Sequence, residues 1–391
     1  MLSSPLRVAV TPPSGHEAIR QQAQRALGVD VDLIVLPTEA LFAALLSRPE
    51  DVDLAQVEMW MIGDLVARGI VQPLDTSEIR RFDEIDPLFT HGKVDDRAVP
   101  GYGAAPWRRI YAQGSGPCLN AVPTICNCDT LGWREDLTAE PIRSWADLLA
   151  PRVRGRVGVA DMPAVSHVEL SMALSAAGLI SYGDIGEQSA AEIDGTYALL
   201  GDLARDGQFS GLWGSYEASV TAMAEGRVAV QSCWPPAIAA LRRMGIPVRY
   251  TMLEEGGRGW AGGLALMAHL VSERREMAIE YINWYLDGWP GAYLMRQGYY
   301  PSTPSAARAH LSGAEWDFWY EGAPALHPIQ GTDGAEIGQI GERREGGAFV
   351  DRMGRIACWN TRMIEEARIR QHWDIFRQQI RTVCGRGTHS C

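Results

Sequence analysis

Between Met223 and Pro304 the chain alternates short apolar runs with helical stretches, and each run stops at a turn rich in glycine or proline. This feature restricts the fold more than any other, because strands alternating with helices build a sheet with helices packed on its faces. Val228-Ala-Val-Gln-Ser-Cys-Trp-Pro-Pro ends abruptly at Trp234, where two prolines open the next helix. A second strand is expected from Val248 to Leu253. Glu255-Gly-Gly-Arg-Gly-Trp reads as a glycine-rich turn carrying Trp260, and Leu264 to Ala268 as a third strand. Trp234 and Trp260 thus stand at corners of an α/β pattern.

The N-terminal part has the same grammar. Leu6 to Val10 is an apolar strand, Thr11-Pro-Pro-Ser-Gly a turn, His16 to Leu27 a helix and Val31 to Leu36 a strand. A helix over Thr38 to Leu46 leads to Asp53-Leu-Ala-Gln-Val-Glu-Met-Trp, a strand ending at Glu58 and Trp60. Farther on, Ser144 caps a helix with Asp147 at its third position, a strand ends at Asp161, and helices follow over His167 to Ala177, Glu192 to Asp206 and Ala218 to Glu225, the last capped by Ser215. Beyond Pro304 only helical fragments and loops are expected, with a disordered tail over 385–391.

At 391 residues the chain exceeds one ordinary core, so two lobes are expected. The formal net charge of −12 argues against nucleic acid and against anionic membrane surfaces, which both demand a basic face. No run of about 18 apolar residues is available to span a bilayer. Met1-Leu-Ser-Ser-Pro-Leu-Arg shows no export signal, which places the protein in the cytoplasm if Met1 is the native start. Seven cysteines form no disulfide framework, and Cys126-Asn-Cys128 lacks metal-ligand spacing. No metal is expected. Phosphate loops, nucleophile elbows and dinucleotide fingerprints are absent, so no cofactor is expected either.

In open α/β sheets ligands gather at the carboxyl ends of strands, which singles out Thr11, Glu58, Trp60 and Asp161 besides the two tryptophans. Each has a plainer reading: tryptophans pack cores, and carboxylates at strand ends are commonly solvated. Ser215 and Glu217 read first as a helix cap and a first-turn acid, and Trp145 and Trp284 as core. A carboxylate beside aromatic faces suits a cation, so a compact cation or nitrogenous heterocycle is the expected ligand.

Ser144-Trp-Ala-Asp-Leu-Leu-Ala-Pro, Met223-Ala-Glu-Gly-Arg-Val-Ala-Val-Gln-Ser-Cys-Trp, Glu254-Glu-Gly-Gly-Arg-Gly-Trp, Ala278-Ile-Glu-Tyr-Ile-Asn-Trp-Tyr-Leu and Gln297-Gly-Tyr-Tyr-Pro-Ser-Thr-Pro together resemble the extracellular solute-binding proteins of ABC transporters, nearest to the spermidine/putrescine-binding group. The resemblance covers roughly residues 5 to 310. It implies a two-lobed, periplasmic-binding-protein-like (type II) α/β fold, with the solute held between lobes and delivered to an ABC permease by a monomer in the periplasm or outside the cell. The expected division is 1–116 with 235–310 as one lobe, 117–234 as the other, and 311–391 as helical segments packed on them.

The resemblance assigns Trp234 and Trp260 as stacking walls, Thr11, Glu58 and Trp60 as strand-end contacts, and Tyr300 as the tyrosine before the late proline. Cys126 and Asn127 stand where the family's Trp-Gly lies. Polyamine binders carry an Asp two residues after the second tryptophan; here that position is Gly262, so spermidine itself is not expected. A weaker resemblance to thiaminase I, around Val122-Pro-Thr-Ile-Cys-Asn-Cys, implies an alternative: a cysteine enzyme with Cys126 or Cys128 as nucleophile and Glu58 or Glu217 as base. A cytoplasmic sensor or scavenger on the same fold is the third reading.

Overall fold

The computed structural model describes residues 4–92, 103, 106–112 and 116–386. Its main strands are β1 (Leu6–Val10), β2 (Val31–Val35), β3 (Leu54–Glu58), β4 (Val122–Arg134), β5 (Val157–Ala160), β6 (Phe209–Trp213), β7 (Val230–Cys233), β8 (Val248–Thr251), β9 (Gly257–Met267), β10 (Tyr300–Pro301) and β11 (Ile356–Trp359). The helices that matter below are α1 (Glu17–Leu27), α2 (Thr38–Ser47), α3 (Pro163–Ala176), α4 (Ala190–Arg205), α5 (Tyr216–Ala224), α6 (Pro235–Arg243), α7 (Ser272–Leu286) and α8 (Glu366–Arg386). The chain forms two units, one from the described residues of 1–98, 104–127 and 260–323, the other from those of 99–103, 128–259 and 324–391.

In the first unit β2, β1 and β3 run parallel, with Leu6 to Val10 level with Val31 to Val35 and Val8 level with Leu54. Parallel strands covered on both faces need nearly continuous apolar residues, which Leu6-Arg-Val-Ala-Val supplies. The second half of β9 lies antiparallel to β3, from Gly262 against Glu58 to Leu266 against Leu54. This register places Trp260 just past the end of β3.

The second unit carries a sheet of order β8-β4-β7-β5-β6. β7, β5 and β6 are parallel to one another, while β4 is antiparallel to β7 and to β8. Leu131, Val157, Val230 and Phe209 from these strands pack with Trp145 and with Trp373, Phe376 and Ile380 of α8. Beyond Pro304 short helices over Gly313–Trp319 and Phe349–Met353 are joined by strand β11 and the long helix α8, and α8 is part of this core. The helix runs to Arg386, into the segment expected to be disordered; residues 387–391 lie outside the described residues.

The expected division of the chain needs correction. β4 belongs to the first unit through Asn127 and to the second from Cys128, and β9 changes unit between Gly259 and Trp260. The chain thus passes between units inside continuous strands, where nothing in the local sequence marks a boundary. Segment 235–259, expected in the first lobe, belongs to the second because Ile238 and Leu241 of α6 pack with Met223 of α5 and with Val248 and Tyr250 of β8.

The glycine-rich turn before Trp260 is also a strand. Gly257 and Gly259 are there for close approach: a Cβ on Gly257 lies 2.4 Å from Cys128 Sγ, and one on Gly259 lies 2.7 Å from Ile356 Cγ2. Their neighbour is β11, which pairs parallel to this end of β9.

Candidate functional site

The strand ends of the first unit hold most of the expected residues. Thr11 follows β1, is buried, and accepts a hydrogen bond from Ser14 N–H at its carbonyl (3.0 Å). Glu58 closes β3 with its carboxylate occupied on both oxygens: Trp60 Nε1 donates to Oε2 at 2.7 Å and Thr38 Oγ1 to Oε1 at 3.1 Å. Trp60 is buried with its ring edge-on to Phe42. Glu58 and Trp60, expected as strand-end contacts, are thus bonded to each other, with Trp60 packed on Phe42.

Cys126, Asn127 and Tyr300 are all fully buried, with Cys126 and Tyr300 directly opposed across the β4–β10 pairing. Trp260 packs edge-on to Tyr299 at 5.7 Å. Its indole Nε1 is buried and has no hydrogen-bond acceptor. At Gly262 an added Cβ meets nothing closer than 3.6 Å, so the missing acid is not excluded by space.

The second unit presents a different arrangement where the parallel strands β7, β5 and β6 end. Asp161, one residue past β5, is engaged by α8: Trp373 Nε1 donates to Oδ1 at 3.0 Å, with Arg381 at 3.4 Å and Arg377 at 3.7 Å from Oδ2. Asp161 therefore anchors the C-terminal helix. Trp234 follows β7, half-buried, and meets the ring of Trp213 at 5.2 Å and nearly a right angle. Trp213, which ends β6, is not among the expected site residues.

The same unit holds a buried polar cluster that sequence reasoning misses. Glu169 of α3 receives Ser232 Oγ at 2.6 Å and Arg258 Nε at 2.8 Å. Arg258 also donates to Asp129 Oδ2 (3.0 Å) and Asn360 Oδ1 (2.9 Å). Both bonds to Glu169 fall on Oε1, leaving Oε2 without a hydrogen-bond partner among the described residues. Helix α3 is buried from Ser166 through Leu174, so Glu169 has no solvated face to occupy and is only 3% exposed. Ionic groups so buried require partners. The signal that could have found it is a lone carboxylate inside Val168-Glu-Leu-Ser-Met-Ala-Leu.

Burial pushes Cys128 up to about 11 and Cys233 up to about 12, so both are neutral thiols at ordinary pH. The six described cysteines form no disulfides with one another, and among the described residues no cluster of three His, Cys, Asp or Glu is placed to hold a metal. Nor is any described helix long and apolar enough to cross a membrane.

Comparison with known proteins accords with this geometry. The substrate-binding protein PotD of a Streptococcus pneumoniae spermidine/putrescine ABC transporter superposes with a TM-score of 0.63 at 15% identity, over 96% of this chain and 100% of that one. The Treponema pallidum lipoprotein Tp0655 (TpPotD) gives 0.66 at 12% identity over 96% and 99%. AgtB of A. tumefaciens R10, solved with agropinic acid, gives 0.58 at 16% identity over 98% and 99%. At such identities the likeness establishes a shared fold, the two-lobed solute-binding α/β fold. No curated protein sequence matches the chain. A family profile described as bacterial extracellular solute-binding protein matches residues 17–319, from α1 through the sheets of both units, and the chain belongs to that family.

Proposed function

We propose that this chain is the solute receptor of an ABC importer, working outside the cytoplasmic membrane, and that its solute is small and carries a cationic nitrogen. Trp234 serves as the stacking face and Glu169, in place of Glu58, as the counter-charge. The observation that carries this reading is the Glu169 carboxylate: buried, held by Ser232 and Arg258 through one oxygen, and open at the other. A carboxylate with low solvent exposure attracts an ammonium group more strongly than one in water, and an indole face adds attraction for the same charge. Ser232 stands two residues before Trp234, so a single short segment joins the two groups.

Glu58, already bonded to Trp60 and Thr38, has less to offer a ligand. One structure named above belongs to a spermidine/putrescine transporter and another holds agropinic acid, which supports a nitrogen-containing solute without choosing among them. The test is a thermal-shift screen of amines, quaternary ammonium compounds and heterocycles, followed by recovery of the solute. A solute that comes off unchanged, with binding lost at least tenfold in both Trp234→Ala and Glu169→Gln, is the expected outcome. Chemical conversion of the solute, abolished in Cys128→Ser, overturns it.

A further inference from the structure

In the second unit three buried indoles have their N–H groups satisfied by nearby oxygens. Trp133 donates to Thr251 Oγ1 at 2.9 Å, Trp145 to the Gly256 carbonyl at 2.9 Å, and Trp373 to Asp161 Oδ1 at 3.0 Å. Trp213 breaks this pattern. It is 3% exposed, and its Nε1 is buried with no acceptor. An indole N–H is a donor only, so its desolvation is uncompensated until an acceptor arrives.

The place of this defect is informative. Ala160 of β5 is level with Trp213 of β6, and Trp213 carries the ring against which Trp234 packs. These are carboxyl ends of parallel strands, the usual location of ligands in α/β sheets. Asp161 takes Trp373 and two arginines, Glu169 Oε1 takes Ser232 and Arg258, and the Trp213 carbonyl takes the Asp161 N–H at 2.8 Å, while the Trp213 N–H reaches none of these oxygens. A buried donor left unmatched at the carboxyl ends of such strands suits an acceptor brought from outside.

We infer that the solute bears, besides its cationic nitrogen, an acceptor oxygen, a carboxylate or an amide carbonyl, and that the Trp213 indole N–H reads it. The inference rests on the function proposed above and narrows it: an amino acid or amino amide fits, and a bare diamine does not. Trp213 is then a specificity-determining residue whose ring supports Trp234 and whose N–H selects the acceptor.

The experiment compares solutes of equal chain length by calorimetry. 4-Aminobutyrate, 4-aminobutyramide and putrescine keep one amine and differ at the other end, and the same comparison is repeated for the three- and five-carbon series. An acceptor-bearing member is expected to bind at least tenfold more tightly than its diamine, the carboxylate and amide arms telling the two acceptors apart. Trp213→Phe keeps an aromatic edge against Trp234 and removes the N–H; it is expected to reduce the preference to less than threefold. Because this variant also alters packing, a second readout uses the unmutated protein: the Trp213 indole proton resonance should move downfield on titration with the favoured solute. Diamines binding as tightly as the others, no binding in any series, or an indole resonance that stays in place overturns the inference. Unchanged selectivity in Trp213→Phe with a lowered melting temperature also overturns it, assigning the N–H to the Trp234 ring. The function proposed earlier is judged separately: loss of all binding in Glu169→Gln sustains it whatever Trp213 does.

Discussion

Each unit pairs an indole with a carboxylate, and the two pairs behave in opposite ways. In the first, Trp60 and Thr38 close both oxygens of Glu58, and the ring of Trp60 packs on Phe42. In the second, Glu169 has an open oxygen, Trp213 an unmatched N–H, and Trp234 a half-buried ring. A polar group that has satisfied itself is architecture; one held in place yet unsatisfied is available to a ligand. Residue type alone does not separate the two cases, since both are Glu and Trp.

The largest effect is expected where the open pair is held. Arg258→Met strands Glu169 and Asp129 in the interior without their guanidinium, and should lower unfolding free energy by roughly 3–5 kcal/mol. Urea titration measures it. A change below about 1 kcal/mol would mean that the cluster is not the scaffold of the open pair, and the contrast between the units would lose its basis.

Acid should act on the two units in opposite senses. Burial pushes His167 of α3 down to about 4, below the ordinary 6.5, so its contribution is fully present above pH 6.5 and is lost as pH falls from there toward 4. A tenfold change in proton affinity corresponds to about 1.4 kcal/mol, which caps the loss at about 3 kcal/mol. In the first unit burial pushes Asp86 up to about 6, although the Leu88 N–H it accepts works the other way. Its contribution is present below about pH 3.8 and declines as pH rises through 6; partial solvent access reduces it to about 1–2 kcal/mol. His167→Phe should flatten the acid loss between pH 6.5 and 4, and Asp86→Asn should stabilise the protein at pH 7.5. Parallel stability profiles for wild type and His167→Phe would refute the first half.

The smallest effect concerns the closed pair. Trp60→Phe removes the N–H that Glu58 accepts and should cost about 1–2 kcal/mol of stability, with solute affinity changed less than twofold. A tenfold loss of affinity in this variant would place the first unit's pair in the binding site and erase the distinction.

Much of the architecture is legible in the residues. β1, β2 and β3 follow from short, mostly apolar runs, and the Ser144 and Ser215 caps form where expected, on Ala146 and Ala218. β9 defeats a local reading because glycines signal turns locally, whereas here they permit contact with β11 and Cys128, which are far away in sequence. Helix α8 does carry a signal: Ile369, Trp373, Phe376 and Ile380 recur at helical spacing and are buried. The site is harder. Trp234 is visible at its strand end, but whether the Trp213 N–H is matched depends on which acceptors its neighbours have taken, and no local pattern encodes that.

The antiparallel pairing of β3 with residues 262–266 also sets a schedule for the growing chain. β3 is made early, yet its partner exists only after Gly262 and its successors have been synthesised, and the second-unit strands β5, β6, β7 and β8 are all made in the interval. Until then β3 is an unpaired edge of apolar residues, a template for aggregation that the finished fold conceals. The first unit therefore has to wait for most of the second to be translated before its own sheet can close, and folding should be slow for the size of either unit. A chain with that constraint gains from being held unfolded until its later strands have emerged.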